Sequence, residues 1–271
     1  MSTDVEAPVS KAGRNLPAAL AVGLSLGGSI LGTVFSPYRW TFVIMLLIAT
    51  LIGTWEIVRA PRTLGANTPA LPVYVGGAAM VVLAYREGST QLFLGLALTV
   101  VAMVVWRVAD PAEGVLRDLT AGVFTAAYVP FLMGFAALLT VPSDGAQRVT
   151  TFVATVVCSD VGGYAAGVLF GKHPMAPSVS PKKSWEGFVG SVIGCSVAGA
   201  IFFWSFFDRS PLLGVVYGLA IVASATLGDL GESMIKRDIG VKDMGTLLPG
   251  HGGLMDRLDS LLPTAPIAWI M

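Results

Sequence analysis

Apolar residues in this chain neither alternate nor keep to one helical stripe; they run on. Runs occupy positions near 16–35, 40–58, 70–85, 91–106, 118–140, 149–171, 187–207 and 211–228, and a last apolar piece extends from about 254 to Met271. A helix needs roughly 20 apolar residues to cross a hydrocarbon layer about 30 Å thick, and this chain offers such runs repeatedly. The pattern predicts an all-α fold: a polytopic transmembrane helical bundle of about nine spans. Residues 1–15 are polar and contain Pro and Gly, which predicts a disordered tail. Residues 16–271 then form a single transmembrane domain whose first helix is retained, since further spans follow it and no persuasive small-residue cleavage site is present.

Composition agrees, at 54% hydrophobic and 13% charged residues with a mean hydropathy of +0.75. The zero net charge says nothing about partners, because the charge sits in the loops. Its distribution says more. With the N-terminus inside, Lys11, Arg14, Arg59, Arg62, Arg107, Arg117, Lys172, Lys182, Lys183, Lys236, Arg237, Lys242 and Arg257 share one side, thirteen of the seventeen basic residues. Arg39, Arg86, Arg148 and Arg209 are left for the other. That imbalance predicts a cytoplasmic N-terminus and an outward C-terminus. Cys158 and Cys195 fall within spans without metal-like spacing and are read as packing residues. Gly163, Gly167 and Gly171 recur every four residues, the spacing of closely packed membrane helices.

One stretch departs from the oily background. "KRDIGVKDMGTLLPGHGGLMDRLD", residues 236–259, holds eight charged side chains in twenty-four. The glycines of its "PGHGG" crowd a loop where backbone N–H groups could approach an anion. Just before it, Asp229, Glu232, Ser233, Lys236 and Arg237 fall at steps of three and four, so a continued helix puts all five on one face. The plain alternative is a solvated helix end with favourable Glu-to-Lys pairing. Asp256 and Asp259 repeat the three-residue step at the start of the last apolar piece. Asp160 lies inside the sixth run, where an unpaired charge costs at least a few kcal/mol; it needs a partner, a cation or water. Hard oxygen donors gathered without His/Cys clusters suit Mg²⁺ rather than zinc. The flanking bases suit phosphate. Lys182 and Lys183 of "SPKKSWEG" read by themselves as topology anchors, and become candidates for a nucleotide's phosphates beside a metal site. His251 is assigned to phosphate contact or loop positioning rather than base catalysis.

Residues 233–259, "SMIKRDIGVKDMGTLLPGHGGLMDRLD", resemble the signature of the phosphatidate cytidylyltransferases, or CDP-diacylglycerol synthases. The likeness is carried by Ser233, Lys236, Arg237, Lys242, Asp243, Pro249, His251, Gly252, Gly253, Asp256, Arg257 and Asp259. "SPKKSWEG" and "SDVGGYAAGVLFGK", with Asp160, Tyr164 and Gly171, resemble two further blocks of that family, so about residues 157–260 carry the likeness. One departure is that an aromatic residue often precedes the family's counterpart of Asp160, where this chain has Val157, Cys158 and Ser159.

The resemblance implies an integral protein of a bacterial-type cell membrane, its active site facing the cytoplasm, that converts CTP and phosphatidic acid to CDP-diacylglycerol and pyrophosphate. It implies a paired-cation centre of Mg²⁺ with K⁺ as second cation, Asp229 and Asp256 as principal ligands, and Asp160 and Asp259 as further ligands or second-tier acceptors. Lys182, Lys183, Lys236 and Arg237 are expected to hold the triphosphate and the lipid phosphate. Ser233 and Arg257 are counted with the substrate ligands, and Lys242, Asp243 and His251 shape the loop over the leaving pyrophosphate. A homodimer is a further expectation, and no nucleic acid is involved. Two other readings stay open: a CTP-using kinase of another lipid, such as a polyprenol, and a cation transporter whose buried acids form an ion path.

Overall fold

The computed structural model describes residues 16–110, 113–245, 247 and 252–271. The tail expected over residues 1–15 lies outside them. Helices α1 (Leu16–Val34), α2 (Trp40–Arg59), α3 (Ala70–Glu87) and α4 (Ser89–Ala109) follow the first four apolar runs. The fifth run is α5 (Val115–Ala126), a π-helical turn (Ala127–Phe131) and α6 (Leu132–Leu138). Then come α7 (Gly145–Phe170), strands β1 (Pro174–Ala176) and β2 (Ser180–Ser184), α8 (Trp185–Phe207), α9 (Pro211–Asp238), the single turn α10 (Met255–Leu258) and α11 (Leu261–Ile270).

Among the described residues, six helical segments are long and apolar enough to cross a membrane: 40–62, 89–109, 115–138, 145–170, 185–207 and 211–238. The last apolar piece is not one continuous helix: it breaks at Asp259 and Ser260 into α10 and α11. α11 packs on α9 and α6.

Helix ends follow local chemistry. The Ser184 hydroxyl accepts from Gly187 N and caps α8, with Glu186 in the first turn, where a negative charge suits the helix dipole. Ser210 caps α9 through Leu212 N, and Pro211 sits at the first position, where its missing N–H costs nothing. At 28 residues, α9 is about 42 Å long, so it crosses the membrane and still projects two to three turns. Those turns carry residues 229–238.

Glycine brings α7, α8 and α9 into backbone contact. A Cβ at Gly162 would meet Gly190 O, one at Gly194 would meet Cys158 O, and one at Gly199 would meet Gly214 O. Gly163 lies on Ser191 and Gly187, which bears out the packing role read from its spacing. Gly171 instead ends α7 as its C-cap. Interhelical hydrogen bonds lock the contact: Ser191 Oγ donates to Ser159 O at 2.7 Å, and Cys195 Sγ donates to Thr155 O at 3.4 Å. Both cysteines are free thiols.

Two local departures have plain causes. Pro130 sits inside the fifth run; lacking an N–H, it leaves a carbonyl unpaired, and a π-turn absorbs the mismatch. Arg107 was expected in a solvated loop, but only 4% of it is exposed. It pairs with buried Asp118 at 2.6 Å, whose second oxygen accepts from Asn67 N at 2.7 Å. Two charges leaving water must meet.

Candidate active site

The polar centre forms where the projecting end of α9 meets the turn α10. Asp256, on α10, is buried. Its Oδ1 accepts from Lys236 Nζ at 2.9 Å, and its Oδ2 accepts from Gly253 N at 2.6 Å and Met244 N at 3.1 Å. Lys236 also lies 3.3 Å from Glu232 Oε1, one turn back on α9, so the Glu-to-Lys pairing foreseen from the spacing is present. Glu232 is fully buried, yet among the described residues neither of its oxygens completes a hydrogen bond. Gly252 has φ +80°, and a Cβ there would press on Asp256 Oδ2 and Asp243. Only glycine passes that corner easily.

A second centre lies one turn earlier on α9. Asp229 pairs with Lys183 of β2 at 2.5 Å, both side chains partly exposed. Asp160, Asp229, Lys182, Lys183, Ser159 and Tyr164 line a cavity of about 290 Å³. The sequence reading placed Lys182 and Lys183 in a plain loop; they sit instead on an antiparallel strand pair, a small β element in an otherwise helical chain. That hairpin is braced at both ends. Glu186 accepts from Lys172 N at 3.1 Å and His173 N at 3.3 Å and hydrogen-bonds His173 Nδ1 at 2.6 Å. Near the bend, Val179 O accepts from Arg237 Nε at 3.4 Å. Arg237 thus supports the strand pair, while Lys236 turns to Asp256, so the five residues of one α9 face divide among different partners.

The two centres share one electrostatic field. Asp259 feels the charges of Asp229 and Asp160, and Glu232 feels those of Asp259 and Asp256. Asp259 Oδ1 accepts from Ser260 N at 2.7 Å. Ser233 is half-buried, and Lys242 and Asp243 are exposed in the loop after α9. Arg257 acts electrostatically on Asp160 and lines an apolar groove behind α10. His251 and Pro249 lie outside the described residues.

Sequence reasoning missed Glu56. Its side chain, 1% exposed on α2, accepts from Leu254 N at 3.0 Å and Met255 N at 2.8 Å. It therefore fastens the segment bearing Asp256 to the bundle wall. The signal was there, since Glu56 is the one charged residue in the run 40–58. Tyr128, on the π-turn, was missed as well; its buried hydroxyl has no hydrogen-bond partner among the described residues, and it faces the field of Glu232, Asp259 and Asp229.

Among the described residues, no three acidic, His or Cys side chains close into a cation cage. Mg²⁺ seldom uses one; it takes one or two carboxylates and completes its octahedron with water and substrate phosphates. Asp160 and Asp229 on one cavity beside two lysines, with the unbonded oxygens of Glu232 close in the same field, fit that mode.

A family model described as the cytidylyltransferase family matches residues 18–271. A Mycobacterium leprae protein named phosphatidate cytidylyltransferase is 46% identical over 279 residues, covering 96% of this chain and 88% of its own length. A Mycobacterium bovis protein of the same name is 45% identical over 277 residues, covering 97% and 90%. The chloroplastic phosphatidate cytidylyltransferase 5 of Arabidopsis thaliana is 30% identical over 282 residues, covering 92% and 69%.

Proposed function

The chain belongs to the cytidylyltransferase family, and from that premise we propose that it is a membrane-embedded enzyme that makes CDP-diacylglycerol and pyrophosphate from CTP and phosphatidate. The observation that carries this reading is the lysine-bearing cavity of Asp160, Asp229, Lys182 and Lys183 beside the Lys236–Asp256 pair. Acidic and basic groups meet there at the end of helices long enough to cross a bilayer.

The nucleophile is an anionic oxygen of the lipid phosphate, so no strong general base is required. A bond forms from that oxygen to the α-phosphorus of CTP, the bond to the bridging oxygen breaks, and pyrophosphate leaves with the electron pair. The barrier lies in bringing two polyanions together, which positioning and fixed charge must overcome. Lys182 and Lys183 hold nucleotide phosphates at the cavity wall. Lys236, oriented by Asp256 and Glu232, presents its ammonium to the reacting phosphates. Arg237 keeps the hairpin in register with α9. Asp229 and Asp160, with Asp256 and Asp259 behind them, would hold Mg²⁺, with K⁺ as the second cation. Bound there, the cations neutralise charge on the phosphates and on the leaving pyrophosphate. The site faces the cytoplasm, from which CTP arrives, while phosphatidate enters from the bilayer.

The test is purified protein incubated with CTP, phosphatidate and Mg²⁺, following lipid product and pyrophosphate with and without chelator. Both products are expected, and chelator is expected to stop both. Transfer of the γ-phosphate to lipid without pyrophosphate would establish a kinase instead, and nucleotide-independent cation uptake into proteoliposomes a transporter.

A further inference from the structure

Behind the turn α10 runs an apolar groove of about 310 Å³, walled by α1, α2, α6, α7 and α11. Leu26 and Gly27, Leu46, Met133, Val157 and Leu261 line it, and Arg257 is its one charged residue. Successive residues on a helix point about 100° apart. Asp256 therefore enters the polar network through Lys236, while Arg257, next in the chain, stands in the groove. Arg257 also acts on Asp160, which lines the polar cavity. A single turn of helix thus separates the phosphate-binding side from an oily groove with Arg257 in its lining.

The α1 wall has an unusual feature. Glycines in membrane helices ordinarily mark close packing, but a Cβ built on Gly23 or Gly27 meets no atom within 4 Å. These glycines face open space in the groove. An apolar channel with one well-placed cation fixes a ligand that is oily along its length and anionic at one end.

We propose that this groove is the acyl-chain site of the phosphatidate substrate, with Arg257 marking the end at which the lipid phosphate passes to the polar cavity. The inference rests on the function proposed above and adds where the lipid lies and what gates chain length. Gly27 is the residue to change, because it lines the groove, a Cβ there meets no atom within 4 Å, and the rest of a leucine side chain projects into the space an acyl chain would occupy. Gly28 also has nothing within 4 Å of its Cβ and does not line the groove, so Gly28→Leu is the control.

Activity is measured with long-chain and short-chain phosphatidates in mixed micelles. Gly27→Leu is expected to lower kcat/KM for the long-chain lipid relative to the short-chain one by about tenfold, the scale of discrimination in an apolar pocket. The KM for CTP should not move, and Gly28→Leu should match the parent protein. An unchanged chain-length ratio in Gly27→Leu would overturn the proposal while leaving the enzymatic reading intact. Absence of CDP-lipid and pyrophosphate from the parent protein would overturn that reading instead. Binding is checked independently by photo-crosslinking a diazirine-acyl phosphatidate. Adducts are expected on 132–136 and 152–157, and labelling spread evenly over all lipid-facing helices would refute the site.

Discussion

Replacing Glu56 with Gln tests whether a residue outside every recognised motif controls the active segment. The carboxylate accepts two backbone N–H groups, from Leu254 and Met255, and is 1% exposed. Each hydrogen bond to a charged acceptor contributes about 1.5–3 kcal/mol. Gln retains one acceptor oxygen but turns an N–H₂ group toward the other amide. One bond is lost, and one buried donor is left unpaired at a further cost of about 1–3 kcal/mol. The total is roughly 2.5–6 kcal/mol, concentrated where α10 is tied to α2. The bundle itself is untouched, so the protein should still purify as a folded membrane species. Hydrogen exchange should quicken at residues 254 and 255, by roughly 30-fold for each 2 kcal/mol. Because Asp256 and Arg257 ride on the same turn, turnover should fall about 100-fold, the penalty expected for misplacing reacting groups by 1 Å. Full kcat with unaltered amide protection at 254–255 would refute the reasoning.

Lys183→Ala removes the partner of Asp229 and a proposed phosphate ligand; the KM for CTP should rise about tenfold, the value of one charge-assisted contact, and a flat CTP dependence would remove Lys183 from the nucleotide site. Asp118→Asn leaves buried Arg107 with exposed Asp110, 3.7 Å away, in place of a buried counter-charge, which should cost up to about 3–5 kcal/mol of stability. A lowered thermal midpoint with normal kcat at permissive temperature is expected, and an unmoved midpoint would contradict it.

Long apolar runs were legible as helices because in lipid the backbone must satisfy itself, and length then decides. That argument weakens where local chemistry intervenes. The last piece, from about 254, reads as apolar throughout, yet Asp256 reaches back to Lys236 and the helix breaks at Asp259 and Ser260. The likeness at 233–259 pointed to Lys236 and Asp256, and the spacing of 232 and 236 gave their pairing. It did not give the division of labour along α9, because Arg237 finds Val179 and Asp229 finds Lys183 only through a hairpin with no periodic signal of its own. Arg107 is not the solvated loop cation expected, because charge counting cannot tell such a cation from one paired with Asp118 eleven residues on. Glu56 escaped because its partners are backbone amides almost two hundred positions away.

The pairing of Lys183 with Asp229 has a consequence for the order of events. In the resting protein this pair neutralises itself, as does Lys236 with Asp256. A phosphate drawing on Lys183 competes with Asp229 for the same ammonium and loosens a carboxylate as it docks. On the function proposed above, nucleotide arrival would be an exchange of partners rather than an addition of charge, and the freed carboxylate would become available to a metal as the triphosphate docks.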